Sequence, residues 1–226
     1  FCALFLLRAL FFLRALFFLL RLSSESSDSS ESDGSSESSE SSESSEPQLL
    51  LPSVRPDPTN RTFTSKAVDA WIEEYAPRFR SRNLSILWSN ALPNTLDTTV
   101  AHHDGRLDAF VITGDIDAMW LRDSTNQVLP YLRFAAADPP LADMLCGLVR
   151  RQARSVLVDA YANAFNFNAS GAGHQDDVRT PPMTAAVFEG KYELDSLAAF
   201  LKLGASYWNA TGDLSCFAFH DAANGD

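Results

Sequence analysis

"TSKAVDAWIEEYAPRF", residues 64–79, places Val68, Trp71, Ile72 and Tyr75 at i, i+3, i+4 and i+7. That spacing sets four apolar side chains on one helical face, and Ser65 stands where an N-cap belongs. The same period recurs downstream. It predicts a helix near 123–136 and another from 141 to about 163, where Leu145, Leu148, Val149, Val156 and Leu157 repeat. A fourth is predicted over 192–208, until "NATGD" (209–213) stops it. "LDAFVITGDIDAMW" (107–120) is richer in β-branched residues and reads as an extended stretch leading into a loop. "NFNASGAGHQDDVRTPPM" (166–183) reads as a long polar loop, and loops of that length inside a compact domain usually carry function. The expected class is therefore all-α.

Outward from this globular part the composition changes. Residues 1–22 repeat a hexamer (ALFLLR, ALFFLR, then ALFFLLR) and hold three arginines and no acid. Apolar gain and arginine cost nearly cancel in a membrane, so two readings stay open: a signal-like segment or anchor, and a translated DNA repeat. Residues 23–46 cycle through Ser-Ser-Glu with eight acids and no base. With no apolar side chain to bury, such a run cannot offset the entropy of ordering, and 23–51 is expected to be a disordered linker. The expected domain is 52–226. The net charge of the 226 residues is −11, but 47–226 holds 21 acids against 15 bases. No basic stripe stands ready to neutralise phosphates, which excludes nucleic acid as a partner class. Membrane contact is expected only if residues 1–22 are a genuine anchor.

Cysteines at 2, 146 and 216 show no metal-ligand spacing, and their odd number gives no disulfide framework; a Cys146–Cys216 bridge stays open. His102 and His103 are adjacent, while His174 and His220 lack partners at metal-binding spacing. No metal centre is expected, and no dinucleotide or P-loop fingerprint calls for a cofactor. Sequons at Asn60, Asn83, Asn168 and Asn209 favour the secretory pathway, Golgi or extracellular.

Two charged clusters stand where helices are expected to begin. "TGDIDAMWLRDS" (113–124) holds Asp115, Asp117, Trp120, Arg122, Asp123 and Ser124. Polar groups beside a tryptophan make a wall for a sugar, whose C–H face packs on the ring while its hydroxyls need fixed donors and acceptors. Equally, Asp123 and Ser124 can cap a helix while Arg122 pairs on the surface. In "VFEGKYELDSLAAF" (187–200), Lys191 and Asp195 are four apart, as are Glu189 and Glu193, and a helix that starts early puts each pair on one face. Asp195 lies within one residue of the apolar stripe Leu194, Leu197, Ala198 and Leu201. Such an acid is either a satisfied capping group or a carboxyl in a partly desolvated pocket, poised to donate a proton.

"PNTLDTTV" (93–100), "FVITGDIDAMWLRDSTNQVLPYL" (110–132), "GLVRRQARSVLVDAYANAFNF" (147–167), "HQDD" (174–177) and "VFEGKYELDSLAAFLKLGASYWNATGD" (187–213) together resemble glycoside hydrolase family 125, in its fungal-type eukaryotic branch. The resemblance implies an (α/α)6 barrel of which this chain carries the N-terminal half. It further implies metal-independent, inverting, exo-acting hydrolysis of α-1,6-linked mannose from glycans. On it, Asp195 is the candidate general acid. Trp120, Arg122 and Asp123 line the pocket, with His174, Gln175, Lys191 and Glu193 as further candidate sugar ligands. The general base is expected beyond residue 226, so the chain alone is expected to be inactive. The alternatives are an inactive mannose-binding fragment and another (α/α)6 glycosidase.

Overall fold

The computed structural model describes residues 50–218; the hexamer repeat, the Ser/Glu-rich run up to residue 49 and His220 lie outside them. Six α-helices are assigned among the described residues: α1 (Lys66–Tyr75), α2 (Arg82–Ala91), α3 (Asn94–Thr98), α4 (Leu121–Val128), α5 (Pro139–Val158) and α6 (Leu194–Thr211). They are joined by a 3-10 stretch over Leu129–Ala137 and others near the ends. The fold is mainly helical, with two small sheets that an all-α reading does not contain. β1 (Val100–Asp104) and β2 (Asp108–Val111) form an antiparallel hairpin. β3 (Met119–Trp120), β4 (Ala164–Phe165) and β5 (Val187–Glu189) make a three-stranded antiparallel sheet in that order.

Local chemistry explains the helix limits. Ser65 caps α1 by accepting the Val68 N–H, and its hydroxyl donates a hydrogen bond to Asp138 Oδ2 at 2.6 Å. The same carboxylate caps α5 through Oδ1 and the Leu141 N–H, so one buried acid anchors two helix starts. α6 ends at Gly212, whose left-handed φ of 68° returns its N–H to the Trp208 carbonyl. α4 begins two residues before the expected start, with Trp120 at the N-cap and no side-chain cap. Ser124, read as a potential cap, instead donates to the Trp120 carbonyl at 2.7 Å.

The core is built on α5, which buries Leu141, Met144, Leu145, Cys146 and Leu148. It packs on β2 on one side and on α6 on another. Gly147 is required there, because a Cβ would enter the Gly105 and Asp108 backbone. Inside, Gln152 of α5 donates to Ser124 Oγ (2.8 Å) and to the Leu121 carbonyl (3.2 Å), and accepts from Thr125. This fully buried amide fixes α4, and with it Trp120 and Arg122, against the core. Cys146 and Cys216 are bridged across a separation of 70 residues, closing the choice the cysteine count left open. No described helix is long and apolar enough to cross a membrane.

Candidate active site

The three-stranded sheet brings the two charged clusters together. β3 carries Trp120 beside β4, and β4 lies beside β5, whose last residue is Glu189. Along β5, Val187 and Glu189 are both buried while Phe188 is half-buried, the two-residue alternation of a strand. Glu189 therefore points inward, where a lone carboxylate is costly unless paired.

Three donors meet it. Asn163 Nδ2 (2.6 Å) and Trp120 Nε1 (3.2 Å) bond Oε2, and Lys191 Nζ bonds Oε1 at 2.6 Å. Burial pushes the Glu189 pKa up, but the bonds from Lys191, Asn163 and Trp120 outweigh it and hold the carboxyl below its ordinary value. Glu189 in turn raises Lys191. His174 Nε2 stands 4.0 Å from Glu189 Oε1, its ring edge-on to Phe188.

Sequence spacing misplaced these charges. Glu189 ends a strand and Lys191 precedes α6, so neither the Glu189/Glu193 nor the Lys191/Asp195 pair shares a helix face. Instead the Gly190 N–H donates to Asp177 Oδ2 (2.9 Å) and the Lys191 N–H to Asn163 Oδ1 (3.3 Å). Side chains thus hold both backbone N–H groups, and the chain stays non-helical up to Glu193, which is itself extended.

Beside Glu189 lies a second ionic group. Arg122 Nη1 donates to Glu193 Oε2 at 2.8 Å and to Asp195 Oδ2 at 3.0 Å. Its Nη2 lies 3.7 Å from Asp123. Burial lowers the Arg122 pKa, yet the bonds to Asp195 and Glu193 prevail and raise it. Ser196 also donates to Glu193 Oε2 at 2.8 Å. Asp195 sits in the first turn of α6 with its side chain 65% exposed. It is thus neither a side-chain cap nor enclosed in a desolvated pocket. Asp123 likewise occupies a first turn, in α4, with its side chain 42% exposed.

Gln175, read as a hydroxyl ligand, gives its amide protons to the Ala172 (3.0 Å) and Val187 (2.8 Å) carbonyls and so braces the 166–183 loop. That loop returns to β5, where the His174 N–H meets the Phe188 carbonyl at 2.8 Å. Gly173, at φ 96°, allows this approach, since a Cβ there would enter the Phe188 carbonyl and ring. Trp120, Arg122, Lys191, Glu193, Asp195 and His174 are therefore gathered around one sheet edge and the start of α6, while Gln175 supports the loop. Asn163 and Glu189 are the central residues that sequence reasoning did not select. Glu189 was noted in the sequence only as a charge four residues before Glu193; nothing local marked Asn163.

A family model described as metal-independent alpha-mannosidase (GH125) matches residues 81–224. The meiotically up-regulated gene 157 protein of Schizosaccharomyces pombe (strain 972 / ATCC 24843) is 45% identical over 178 residues, covering 75% of this chain and 35% of its own length. Among solved structures, a Streptococcus pneumoniae metal-independent alpha mannosidase, in a non-productive substrate complex with alpha-1,6-mannobiose, superposes with a TM-score of 0.63 at 39% identity. That match covers 69% of this chain and 36% of the bacterial one. The chain thus spans about a third of the length of either protein.

Proposed function

The chain belongs to the metal-independent α-mannosidases of glycoside hydrolase family 125, and from that premise we propose that it supplies the proton-donating wall of an inverting exo-α-1,6-mannosidase acting on glycans. The observation that carries the reading is the joint placement of Arg122, Glu193 and Asp195 beside the Trp120–Glu189–Lys191 group. Aromatic edge, carboxylates and cations at one place match what a pyranose requires.

The three acids differ in what they are free to do. Glu189 takes three donors and is held ionised, which makes it a hydroxyl acceptor and a poor proton donor. Glu193 accepts from Arg122 and Ser196. Asp195 accepts from Arg122 and remains mostly exposed, so a leaving oxygen has access to its carboxyl. We assign to Asp195 the proton that the leaving oxygen receives. In single displacement that proton passes to the departing oxygen while a second carboxylate, roughly 6.5–9.5 Å away, draws one from the attacking water. We assign that second carboxylate to sequence beyond residue 226, within the length of the relatives that this chain does not span.

The half-barrel reading draws support from an outward apolar groove on α6, lined by Phe200, Leu201, Trp208, Leu214 and Phe217. It is the kind of surface on which further helices pack. Residence in the secretory pathway draws support from the Cys146–Cys216 bridge and the four sequons.

The test is hydrolysis of α-1,6-mannobiose by this chain joined to the C-terminal portion of a family member, with the anomer of the first mannose followed by NMR. β-Mannose is expected first, and Asp195→Asn should lower kcat on this unactivated disaccharide by at least about 100-fold, the lower range for general-acid loss. Initial α-mannose, or an Asp195→Asn variant of undiminished rate, refutes the assignment. The exposure of Asp195 favours one further reading, that the 226-residue chain alone binds mannosides without cleaving them. Turnover of mannobiose by that chain alone refutes it.

A further inference from the structure

The four sequons are not equal in the folded chain. In three of them the hydroxyl that a glycan-transferring enzyme must recognise is committed to the main chain. Thr62 donates to the Leu96 carbonyl at 2.8 Å, Ser85 to that of Ala76 at 2.7 Å and Thr211 to that of Tyr207 at 2.8 Å. Asn83 and Asn209 also lie inside α2 and α6, and Asn83 Oδ1 accepts the Leu51 N–H at 2.9 Å. Asn168 differs. It and Ser170 are exposed in the 166–183 loop, outside any helix or strand. Ser170 Oγ accepts the Ala172 N–H at 3.3 Å and donates to no carbonyl among the described residues. Asn168 itself bonds only through its backbone carbonyl, which accepts the Ser170 N–H at 2.8 Å. Its side-chain amide is thus presented to solvent whether glycan transfer precedes folding or follows it.

Asn168 also lines a cavity of about 430 Å³, whose wall includes Arg154, Ser155, Leu157, Val158 and Phe167. The volume lies within the usual range of small-ligand sites. Leu157, Val158 and Phe167 are 76%, 53% and 43% exposed, so this wall offers apolar surface to water. The Phe167 ring is held in place by the Phe110 ring, 5.4 Å away and edge-on, and by the Arg151 guanidinium 5.0 Å from its centroid. A fixed aromatic and two aliphatic side chains beside polar groups suit the C–H face and hydroxyls of a pyranose. A sugar joined to Asn168 meets this wall intramolecularly, so even a weak contact is well populated.

We propose that Asn168 is N-glycosylated and that the first sugar of its glycan docks on the Leu157, Val158 and Phe167 wall. The proposal rests on the secretory-pathway reading above. Transfer forms a bond between Asn168 Nδ2 and C1 of the sugar and breaks the C1–O bond of a lipid-diphosphate-linked oligosaccharide. One Nδ2 proton leaves with the diphosphate.

The test produces the 226-residue chain in yeast twice, with its own N-terminus and behind an added secretion signal, and reads the four sequons by glycopeptide mass spectrometry. Asn168 is expected to be modified on most molecules in both. Asn168→Gln and Ser170→Ala, which each destroy the sequon, should lower the melting temperature of the secreted protein by about 2–4 °C, the scale of one modest contact in a chain of this size. The same variants made in bacteria, which add no such glycan, should melt with their parent. Enzymatic trimming of the glycan to its first sugar should leave the melting temperature unchanged. Asn168 left bare behind the secretion signal, or melting indifferent to its glycan, overturns the proposal while the secretory-pathway reading stands. Modification behind the added signal, with every sequon bare on the chain that keeps its own N-terminus, overturns that reading and the natural modification with it.

Discussion

Asn163 has no exposed surface and bonds two neighbours at once. Its amide N–H bonds Glu189 and its carbonyl oxygen accepts the Lys191 N–H. Asn163→Ala would leave a buried carboxylate with one donor fewer and a backbone N–H unpaired, at a cost of about 1–3 kcal/mol. Urea denaturation at pH 7 measures it. Glu189 also sets an acid dependence. Its folded pKa lies below the unfolded value of about 4.3. Its contribution to stability is therefore complete above that value and disappears as the pH falls through the lowered folded one. Asn163→Ala should shrink this acid-labile part, which melting curves taken between pH 7 and the acid limit would show. Glu189 was visible in the sequence only as one charge of a cluster and Asn163 not at all, because their pairing joins positions 26 apart.

Among the elements, periodicity located α1, α5 and α6, although α5 stops at Val158 rather than near 163, and α6 buries Ser196, Ala199, Leu203, Gly204 and Tyr207 in place of the expected stripe, whose Leu194 and Leu201 are 70% and 68% exposed. α2 was not foreseen, although Leu84, Leu87, Trp88 and Ala91 stand at i, i+3, i+4 and i+7; none of its ten residues is buried. The sheet of β3, β4 and β5 was equally hidden, because strands of two or three residues drawn from across 119–189 show no alternation of their own. The stop of α6 was visible in "NATGD" and is realised by Gly212 at φ 68°, with no atom within 4 Å of an added Cβ. The penalty for Gly212→Ala is then purely conformational. Thermal unfolding should report a loss of about 1–2 kcal/mol, the cost of an L-residue in the left-handed region.

For the molecule as a whole, motif resemblance led where periodicity could not. Helical period gave a class, while long quoted stretches gave the family that the comparison bears out over 81–224. From spacing the candidate site was legible only as two clusters, and the resemblance alone gathered them into one pocket; β3–β4–β5 pairing, invisible locally, is what joins them. The Cys146–Cys216 bridge acts at this same scale. In the chain-entropy view, a crosslink spanning 70 residues stabilises by about 4 kcal/mol. Cys146→Ser with Cys216→Ser should lower stability by roughly 2–4 kcal/mol in denaturant titrations. Asn163, Glu189, Lys191 and Asp195 all lie between the two cysteines. A protease that nicks the chain once within the exposed 166–183 loop would therefore split the sequence of the sugar-handling residues into two pieces that stay covalently tethered, one band without reductant and two with it.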